Sequence, residues 1–439
     1  MEVAVVGAGV AGLAALRSLT DAGVRACILE ARDRIGGRIY TVHDERLPHA
    51  IELGAEFIHG SAEDLVDLVD KARLTPFAIE GERWRRRGGR LVCMEDFFQE
   101  MHKVMRYLPE DGKDESFADF LARSPGGARA GEARAVSKQF VEGFHAAVPE
   151  EISAKALAAG GAPSEDSEEQ RIMRIPMGYD GLVRYLAAGL DSQINTHTVV
   201  ESIEWERGAV TLSARDSSGS PFNVRARAVI ITVPLSVLFA TAGEKGAIDF
   251  RPVPEILQKM RTRLTMGSVQ KVSILFRERW WTEKLRSLPR DASLDNLSFL
   301  HGETKDYPVW WTLYPAHLPA MVGWAGGPSA SRLAGKPYTE KRDRAIAALA
   351  KNIGVSRRRI ESQIVDVWTH DWDEDPFARG AYSYSLVGGA EAAAQFARGI
   401  DSTLWFAGEA ADAEGRNGTV NGAIGSGKAA ASAVKRKLA

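Results

Sequence analysis

The sequence has little cysteine, almost no net charge and no long uninterrupted apolar run. Its 439 residues include two cysteines, Cys27 and Cys93, too few for a disulfide framework and suited to a reducing compartment. Lys and Arg total 56 and Asp and Glu 58, which leaves no field to recruit nucleic acid or an anionic membrane. The most apolar stretch, residues 228–243, is interrupted by Pro234 and is too short to cross a bilayer. We therefore predict a soluble, cytoplasmic protein without nucleic-acid or membrane partners.

The sequence also lacks the patterns of metal and serine-hydrolase chemistry. Its nine histidines show no HExxH spacing and no CxxC is present, so we expect no metal site. No GxSxG supports a nucleophilic serine. What is present is a globular composition, 45% hydrophobic and 26% charged, at a length that suits two large domains or about three smaller ones.

Patterns of the α/β type occur at the start, in the middle and near the end of the chain. We predict an α/β fold, α+β overall, with a Rossmann-like nucleotide-binding domain built from three separated segments. These segments are residues 1–76, 177–262 and 375–439. A substrate-binding α+β domain is interleaved with them and comprises residues 77–176, predicted to be helical and rich in loops, and residues 263–374.

Local patterns predict the individual elements. Alternation and β-branched residues predict strands, and a 3.6-residue period predicts helices. The predicted strands are 3–6, 25–29, 198–206, 209–214, 222–233, 267–276, 361–369 and 404–407. The predicted helices are 11–22, 178–190, 338–353 and 419–435.

The first predicted strand leads into a glycine pattern that binds dinucleotides. Gly7, Gly9 and Gly12 form GxGxxG between this strand and the following helix, the context that the motif requires. Gly7 permits a tight turn, Gly9 lets a pyrophosphate approach, and Gly12 lets helix and strand pack closely. The helix N-terminus favours the phosphate charge, and Glu30, at the end of the second strand, can bind ribose hydroxyls. This unit alone does not separate NAD from FAD.

Two further glycine-rich segments suit a polar ligand. In EARDRIGGR, adjacent glycines flanked by arginines offer backbone N–H groups beside cations, which suits a second contact with a diphosphate. Near the end of the sequence, LWFAGE and NGTVNGA form a strand and a Gly-rich entry to a helix, hence another helix N-terminus. The residues concerned are Arg32, Gly36, Gly37 and Arg38 in the first segment, and Gly408, Glu409, Thr419 and Val420 in the second.

Taken together, the motifs GAGVAG, LEARDRIGGR, ELGAEFIHG, LWFAGE and NGTVNGA resemble the flavin-containing amine oxidases. This family includes monoamine oxidases, polyamine oxidases and lysine-specific histone demethylases, and the resemblance runs through nearly the whole chain. It implies that the cofactor is FAD. The matching segments imply further contacts with FAD by Gly54, Ala55, Glu56, Phe57, Val200 and Trp372.

The resemblance also implies catalytic positions. In the family, a strand similar to GSVQKVSILF carries a lysine that bonds a water beside flavin N5, which makes Lys271 its counterpart. Tyr382 matches one wall of the aromatic cage that guides the amine, and an electron-rich ring face suits an amine. His59 matches a tunnel-lining histidine of animal-type polyamine oxidases. Without the resemblance, a strand lysine most often points to solvent, and a lone tyrosine or histidine most often only packs.

Two positions depart from the monoamine oxidase pattern. Ala381 stands where those enzymes carry the cysteine that holds FAD covalently, so the resemblance implies non-covalent FAD. Thr419 stands at the second cage tyrosine, so the predicted cage is open on one side, as in histone demethylases and some polyamine oxidases. The demethylases' helical hairpin insertion and chromatin-binding domain have no room in this chain.

The resemblance implies oxidation of a primary or secondary amine by hydride transfer to flavin N5. The imine hydrolyses to an aldehyde, and reoxidation by oxygen yields hydrogen peroxide. A polyamine is the preferred substrate, because Glu56 and the acidic residues 165–169 could bind its additional cations. Three alternatives stay open: an L-amino acid oxidase, which needs an arginine for the substrate carboxylate, a carotenoid-type desaturase, and a non-catalytic FAD-binding scaffold. The sequence does not separate a monomer from a homodimer.

Overall fold

The computed structural model describes residues 1–60, 62–94, 97–160 and 171–438. In chain order the strands are β1 Val3–Val6, β2 Ala26–Leu29, β3 Thr41–Val42, β4 Ile51–Glu52, β5 Phe57–His59, β6 Phe77–Ala78, β7 Glu82–Arg87, β8 Arg90–Cys93, β9 Ile172–Arg174, β10 Ile194–Asn195, β11 Val199–Glu206, β12 Ala209–Arg215, β13 Pro221–Ala226, β14 Ala228–Ile231, β15 Asp249–Arg251, β16 Leu264–Gly267, β17 Val269–Phe276, β18 Leu297–His301, β19 Val309–Thr312, β20 Ala320–Gly326, β21 Ile364–Thr369, β22 Tyr382–Ser385 and β23 Leu404–Phe406. The α-helices are α1 Val10–Asp21, α2 Glu63–Lys71, α3 Phe97–Met105, α4 Phe117–Ala122, α5 Gly131–Phe144, α6 Ala154–Ala159, α7 Asp180–Ala187, α8 Leu235–Leu238, α9 Glu255–Arg261, α10 Pro328–Ser331, α11 Tyr338–Ile353, α12 Arg357–Gln363, α13 Ala392–Phe396 and α14 Val420–Leu438.

A parallel sheet with the order β10-β2-β1-β14-β23 forms the first core. Residues of β1 that alternate along the strand enter two different apolar clusters, because successive side chains point to opposite faces. Val3 and Val5 pack against α1, α7 and α14. Ala4 and Val6 pack against the sheet β13-β12-β11-β15. With both faces covered, these strands are continuously apolar rather than alternating.

Helices α1 and α14 pack closely on the parallel sheet. A Cβ added at Gly427 of α14 would lie 2.2 Å from the carbonyl oxygen of Ala11 in α1, so glycine allows this approach. Strand β23 lies beside β14, with Leu404 opposite Val229. The last strand and helix therefore complete a unit that begins with β1.

A second sheet, with the order β21-β17-β20-β19-β18-β7-β8, forms a separate core with α11 and a group of tryptophans. Its pairings are antiparallel except for the parallel pair β18–β7. All of its strands lie within residues 77–176 and 263–374, whereas all strands of the parallel sheet lie within residues 1–76, 177–262 and 375–439. The predicted mixed α/β fold class is confirmed.

Several local predictions were wrong. Residues 222–233 are not one strand, because β13 ends at Ala226 in the antiparallel sheet and β14 begins at Ala228 in the parallel sheet. The strand predicted at residues 361–369 begins only at Ile364, after helix α12. The segment predicted to be helical at residues 77–176 also contains β7, whose run of arginines carries no strand signal.

One buried carboxyl in this fold predicts a pH effect on stability. Glu52 accepts hydrogen bonds from the Tyr179 N–H and the Thr41 hydroxyl, each at 2.7 Å, and burial raises its pKa to about 7. A raised folded-state pKa gives stability that is fully present below the unfolded value and lost as pH rises through the folded value. At about pH 8 we expect the free energy of unfolding of Glu52→Gln to be roughly 2–3 kcal/mol higher than that of the wild type.

Urea unfolding at about pH 4 and about pH 8 tests this expectation. At the lower pH the two proteins should have nearly equal free energies of unfolding, since the glutamate is then protonated in both states. Glu45→Gln, at an exposed position, is the control and should show no such pH dependence. An equal difference between Glu52→Gln and the wild type at both pH values would contradict the prediction.

Candidate active site

A cavity of about 1080 Å³ is lined by residues of both main sheets. Every residue predicted to contact the cofactor or the substrate lies on its wall, apart from Gly12 and the acidic residues 165–169, which lie outside the described residues. Residues of the dinucleotide motif, Lys271 and Tyr382 all border this one cavity. The predicted residues that line the cavity are Gly7, Gly9, Glu30, Arg32, Gly36, Gly37, Arg38, Gly54, Ala55, Glu56, Phe57, His59, Val200, Lys271, Trp372, Tyr382, Gly408, Glu409, Thr419 and Val420.

The three glycines of the motif have different surroundings. Gly7 has φ +99°, and a Cβ added there would lie 2.9 Å from the Thr232 hydroxyl. A Cβ at Gly12 would lie 2.0 Å from the Gly7 carbonyl oxygen, whereas a Cβ at Gly9 would meet nothing within 4 Å. Gly9 is the N-cap of α1 and supplies no side-chain cap, so N–H groups of the first turn are available to a ligand. This arrangement fits a pyrophosphate at the open side of Gly9.

Two alanine variants separate these roles. Gly12→Ala should destabilise the protein by about 1–3 kcal/mol, because a backbone oxygen occupies the space that its methyl group needs. Gly9→Ala should leave stability without cofactor nearly unchanged and weaken flavin binding by about tenfold or more, because its methyl group enters the space of the pyrophosphate. Thermal unfolding of the flavin-free proteins and fluorescence titration with flavin measure both effects. Equal losses of stability in the two variants would contradict the assignment.

Glu30 and Arg32 lie where the ribose end of a dinucleotide is predicted. The buried Glu30 carboxylate accepts hydrogen bonds from the Ala8 N–H at 2.6 Å and the Arg32 N–H at 2.9 Å. Arg32 forms an ion pair with Asp375 at 2.8 Å, and His370 approaches the same carboxylate at 3.0 Å. Burial raises the pKa of Asp375, but these two partners overcome this and hold it well below its usual range. This end of the cavity is therefore built by the first and last predicted segments together.

Arg38 and Glu409 connect three segments of the cavity wall. Arg38 donates to the Ala381 carbonyl oxygen and to the Glu409 carboxylate, both at 2.8 Å. Glu409 also accepts from the Ser383 N–H and hydroxyl and from the Gly418 N–H. Both predicted residues line the cavity while paired with each other, so their structural role is to hold these segments in place.

The segment ELGAEF packs against Trp372. A Cβ added at Gly54 would lie 1.9 Å from the Arg38 carbonyl oxygen and 3.2 Å from the Trp372 ring. The Trp372 indole N–H donates to the Leu53 carbonyl oxygen at 2.9 Å. Glycine is thus required here by backbone packing, and the tryptophan is fixed beside it.

Lys271, Glu56 and Arg174 form a buried group of charges beside the cavity. Lys271 Nζ lies 2.7 Å from Glu56 Oε2 and donates to the Gly54 carbonyl oxygen at 3.1 Å. Arg174 Nη2 lies 3.0 Å from Glu56 Oε1, which also accepts from the Trp311 indole at 2.9 Å. Burial raises the pKa of Glu56, but the two cations overcome this and lower it. Glu56 is therefore an ionised carboxylate shared by two cations.

This pairing changes the interpretation of Glu56. Both of its oxygens are engaged, so it is not free to bind a second cation of a polyamine. An ammonium has three donors; Lys271 donates one of them to Gly54 and lies within ion-pair distance of Glu56. Another donor is available to a water or ligand in the cavity that Lys271 lines.

The predicted cage residues lie near one another around the same cavity. The Tyr382 hydroxyl donates to the Phe144 carbonyl oxygen at 2.6 Å, which fixes the ring on the cavity wall. Burial raises the pKa of the Tyr382 phenol, and the negative charge of Glu409 raises it further. The Thr419 hydroxyl accepts from the Gly422 N–H at 2.9 Å and so caps helix α14.

His59 faces the cavity between two aromatic rings. Its ring centroid lies 5.9 Å from Phe57 and 4.9 Å from Phe144. The ring is accessible because it borders the cavity, yet the surrounding protein desolvates it. Burial, followed by the charge of Arg83, lowers its pKa to about 4, so the imidazole is neutral at physiological pH.

Sequence reasoning missed four contributors to this site. Arg174 and Trp311 hold Glu56, Arg83 lines the cavity, and Thr232 donates to the carbonyl oxygens of Val6 and Gly7 beneath the glycine turn. No local pattern marks the first three. Thr232 follows an apolar run directly, and a polar residue at the end of a buried strand could have been noticed.

A family model described as flavin containing amine oxidoreductase matches residues 10–435. The chain belongs to this family. A flavin cofactor and amine oxidoreductase chemistry follow from membership, and the cavity that joins a dinucleotide motif to Lys271 and Tyr382 is the family's candidate active site.

Several relatives cover nearly the whole chain. The chain is 27% identical to polyamine oxidase 4 of Oryza sativa subsp. japonica, covering 100% of this chain and 89% of that protein. It is also 27% identical to putrescine oxidase of Kocuria rosea, in a match that covers 99% of this chain and 95% of that protein. A solved structure of putrescine oxidase bound to putrescine has the same fold, with 21% identity, 99% of each chain covered and a TM-score of 0.80.

The described residues contain neither a metal-binding cluster nor a membrane-spanning helix. Within residues 1–60, 62–94, 97–160 and 171–438, no cluster of three or more His, Cys, Asp or Glu side chains is arranged to hold a metal ion. Over the same ranges, no helix combines the length and hydropathy needed to cross a membrane.

Proposed function

We propose that the protein is an FAD-dependent amine oxidase that oxidises a primary or secondary amine. The observation that supports this most strongly is Lys271, an ion-paired lysine on the wall of a cavity that also contains the dinucleotide motif. FAD, when bound, would accept a hydride at N5 from the carbon beside the amine nitrogen and pass the electrons to oxygen as hydrogen peroxide. The remaining roles belong to residues of the chain.

The wall around Lys271 suits an amine. The ring of Tyr382 is fixed by its bond to Phe144 and offers an electron-rich face to the substrate nitrogen. The neutral His59 does not repel an approaching ammonium group. The remaining Lys271 donor is suited to hold a water molecule at the reacting centre. The protein thus binds and orients the amine and excludes bulk water from it.

We also propose that FAD is held without a covalent bond. Ala381 lies on the cavity wall next to Tyr382, and its methyl group cannot form a thioether. Unfolding the purified protein in acid should release all flavin into the supernatant. Flavin that stays with the precipitated protein would contradict non-covalent binding.

The substrate class depends on which carboxylates are free. Glu56 is engaged, and the acidic residues 165–169 lie outside the described residues. On the cavity lining, Glu63 and Asp64 are exposed at the start of α2. Support for a polyamine substrate therefore comes from the similarity to a polyamine oxidase and a putrescine oxidase more than from the carboxylates of this lining.

Anaerobic titration of the purified holoenzyme tests the proposed function. The panel contains spermine, spermidine, putrescine, phenylethylamine and L-amino acids, and the flavin absorbance is recorded. Bleaching by an amine, with hydrogen peroxide formed on admission of air, is the expected result. Bleaching by L-amino acids alone would favour an L-amino acid oxidase, whereas a flavin that no member reduces would favour a non-catalytic scaffold. A protein that cannot take up FAD would contradict the proposal.

A further inference from the structure

Arg83 is a cavity-lining cation surrounded by aromatic rings. Its guanidinium carbon lies 4.7 Å from the centre of the Phe299 ring, 5.0 Å from Phe98 and 5.6 Å from Phe97. Strand β7 brings it there, with Arg83 opposite Phe299 on β18. Aromatic faces stabilise a guanidinium but accept none of its five N–H groups.

Arg83 has no carboxylate partner among residues 1–60, 62–94, 97–160 and 171–438. The nearby Glu132 carboxylate is engaged by Arg85 and Arg87. Burial lowers the pKa of Arg83 to about 10, so the group is still charged at neutral pH. A guanidinium that is enclosed by aromatic rings and has no carboxylate partner in the described part of the chain is suited to an anionic ligand that enters the cavity.

The histidines around Arg83 do not supply an anion and add no charge. Burial, with a smaller contribution from the charges of Arg83 and Arg85, lowers the pKa of His301 to about 3, and burial with the charge of Arg83 lowers the pKa of His59 to about 4. His301 Nε2 is buried and has no hydrogen-bond partner among the described residues. This end of the cavity therefore combines one cation with neutral polar groups and apolar rings.

From this arrangement we propose that Arg83 binds a carboxylate at the far end of the amine substrate. The inference rests on the proposed amine oxidase function and specifies its substrate class. A guanidinium binds a carboxylate through two parallel hydrogen bonds, whereas it would repel the second ammonium group of a diamine. The preferred substrate is then an amino carboxylate with an apolar body.

The positions of Arg83 and Lys271 determine where that carboxylate is attached. Lys271 lies on β17 and Arg83 on β7, four strand positions apart in the order β17-β20-β19-β18-β7. At about 4.8 Å per strand, their backbones are separated by roughly 19 Å. The rings of Trp311 and Phe299 lie along this path, with centroids 6.1 Å apart. Lys271 Nζ lies 5.7 Å from the centre of the Trp311 ring, and the Arg83 guanidinium carbon lies 4.7 Å from that of Phe299. With two rings between the two cations, we expect the substrate carboxylate to be several carbons from the reacting carbon rather than on the neighbouring atom, as in an α-amino acid.

The proposed reaction leaves that carboxylate unchanged. With FAD bound, the C–H bond beside nitrogen would break, its hydride would pass to the flavin, and nitrogen would release a proton to solvent as the imine forms. Water then adds to the imine, the C–N bond breaks, and an aldehyde carboxylate and ammonia are released. Oxygen would take up the two electrons and two protons and become hydrogen peroxide.

Steady-state kinetics of the holoenzyme with matched substrates test this proposal. The substrates are 4-aminobutyrate, 6-aminohexanoate and 8-aminooctanoate, the alkylamine and diamine of each chain length, and L-phenylalanine. One ω-amino carboxylate should have a kcat/KM above those of the alkylamine and diamine of equal length. Arg83→Gln should raise KM for that substrate about tenfold to a hundredfold and leave kcat and the alkylamine kinetics little changed.

Two further variants complete the design. Arg83→Lys keeps the charge without the two-pronged geometry, and we expect an intermediate KM. Arg106→Gln removes an exposed arginine that also lies over a ring, that of Tyr107, and should change nothing. Hexanoate binding can be measured without turnover, through the change that it causes in the flavin spectrum. Its affinity should be lower in Arg83→Gln.

The outcomes separate this inference from the proposed function. Preference for diamines or L-phenylalanine, or Arg83→Gln kinetics equal to wild type, would overturn the inference and leave amine oxidation intact. If no amine of any kind reduces the flavin, the proposed function itself fails, and hexanoate binding still reports on Arg83.

Discussion

Lys271→Met should slow reduction of the flavin by an amine, or its reoxidation by oxygen, about a hundredfold to a thousandfold. A pre-positioned donor at a reacting centre has an effect of this size when it is removed from other sites. Methionine fills much of the volume but cannot donate to a water molecule, and the flavin should stay bound. Stopped-flow absorbance measures the two half-reactions separately, and the flavin-to-protein ratio reports binding.

The control for this variant is a second buried lysine. Lys341 is ion-paired with Asp371 but does not line the cavity. Lys341→Met should therefore reduce stability without changing either half-reaction. If both half-reactions of Lys271→Met run at the wild-type rate, Lys271 has no part in the chemistry.

Glu56→Gln should lower the free energy of unfolding by about 3–5 kcal/mol, the cost of breaking a buried ion pair from one side. Lys271 and Arg174 would then share a neutral amide in a buried setting. Because the folded-state pKa of Glu56 is lowered, its contribution is present above the unfolded value and is lost as pH falls through the folded one. The difference between wild type and variant should shrink below about pH 4.

Urea unfolding over a range of pH measures this difference. Glu204→Gln breaks an exposed pair with Arg251, 3.0 Å long, and should cost at most about 1 kcal/mol. Combining Glu56→Gln with Lys271→Met should give less than the sum of the single effects, since the two residues share one interaction. A loss no larger than that of the exposed control would show that the buried group is not held by this carboxylate.

The sequence carried information about the parts of the site that are local. Gly7, Gly9 and Gly12 belong to one turn, whose requirements are set within a few residues, so their spacing is informative on its own. Lys271 was reached only through the family resemblance, because a lysine in an apolar strand has several explanations when its partner is unknown.

The parts that escaped prediction depend on strand pairing between distant segments. Arg174 reaches Glu56 because β9 pairs with β5, which places Arg174 opposite Phe57. Strand β9 has three residues, too few to show alternation. Arg83 was hidden in the same way, since its strand consists largely of arginines and its aromatic neighbours come from β18 and α3.

The interleaved order of the segments has a consequence for biosynthesis. A ribosome must add about four hundred residues between β1 and β23, and α14, which packs on α1, emerges later still. Until then one edge of the parallel sheet has no neighbour and the face of α1 near Gly427 is uncovered. The nascent chain therefore carries an exposed apolar surface through most of its translation, and stable flavin capture has to wait until synthesis is nearly complete.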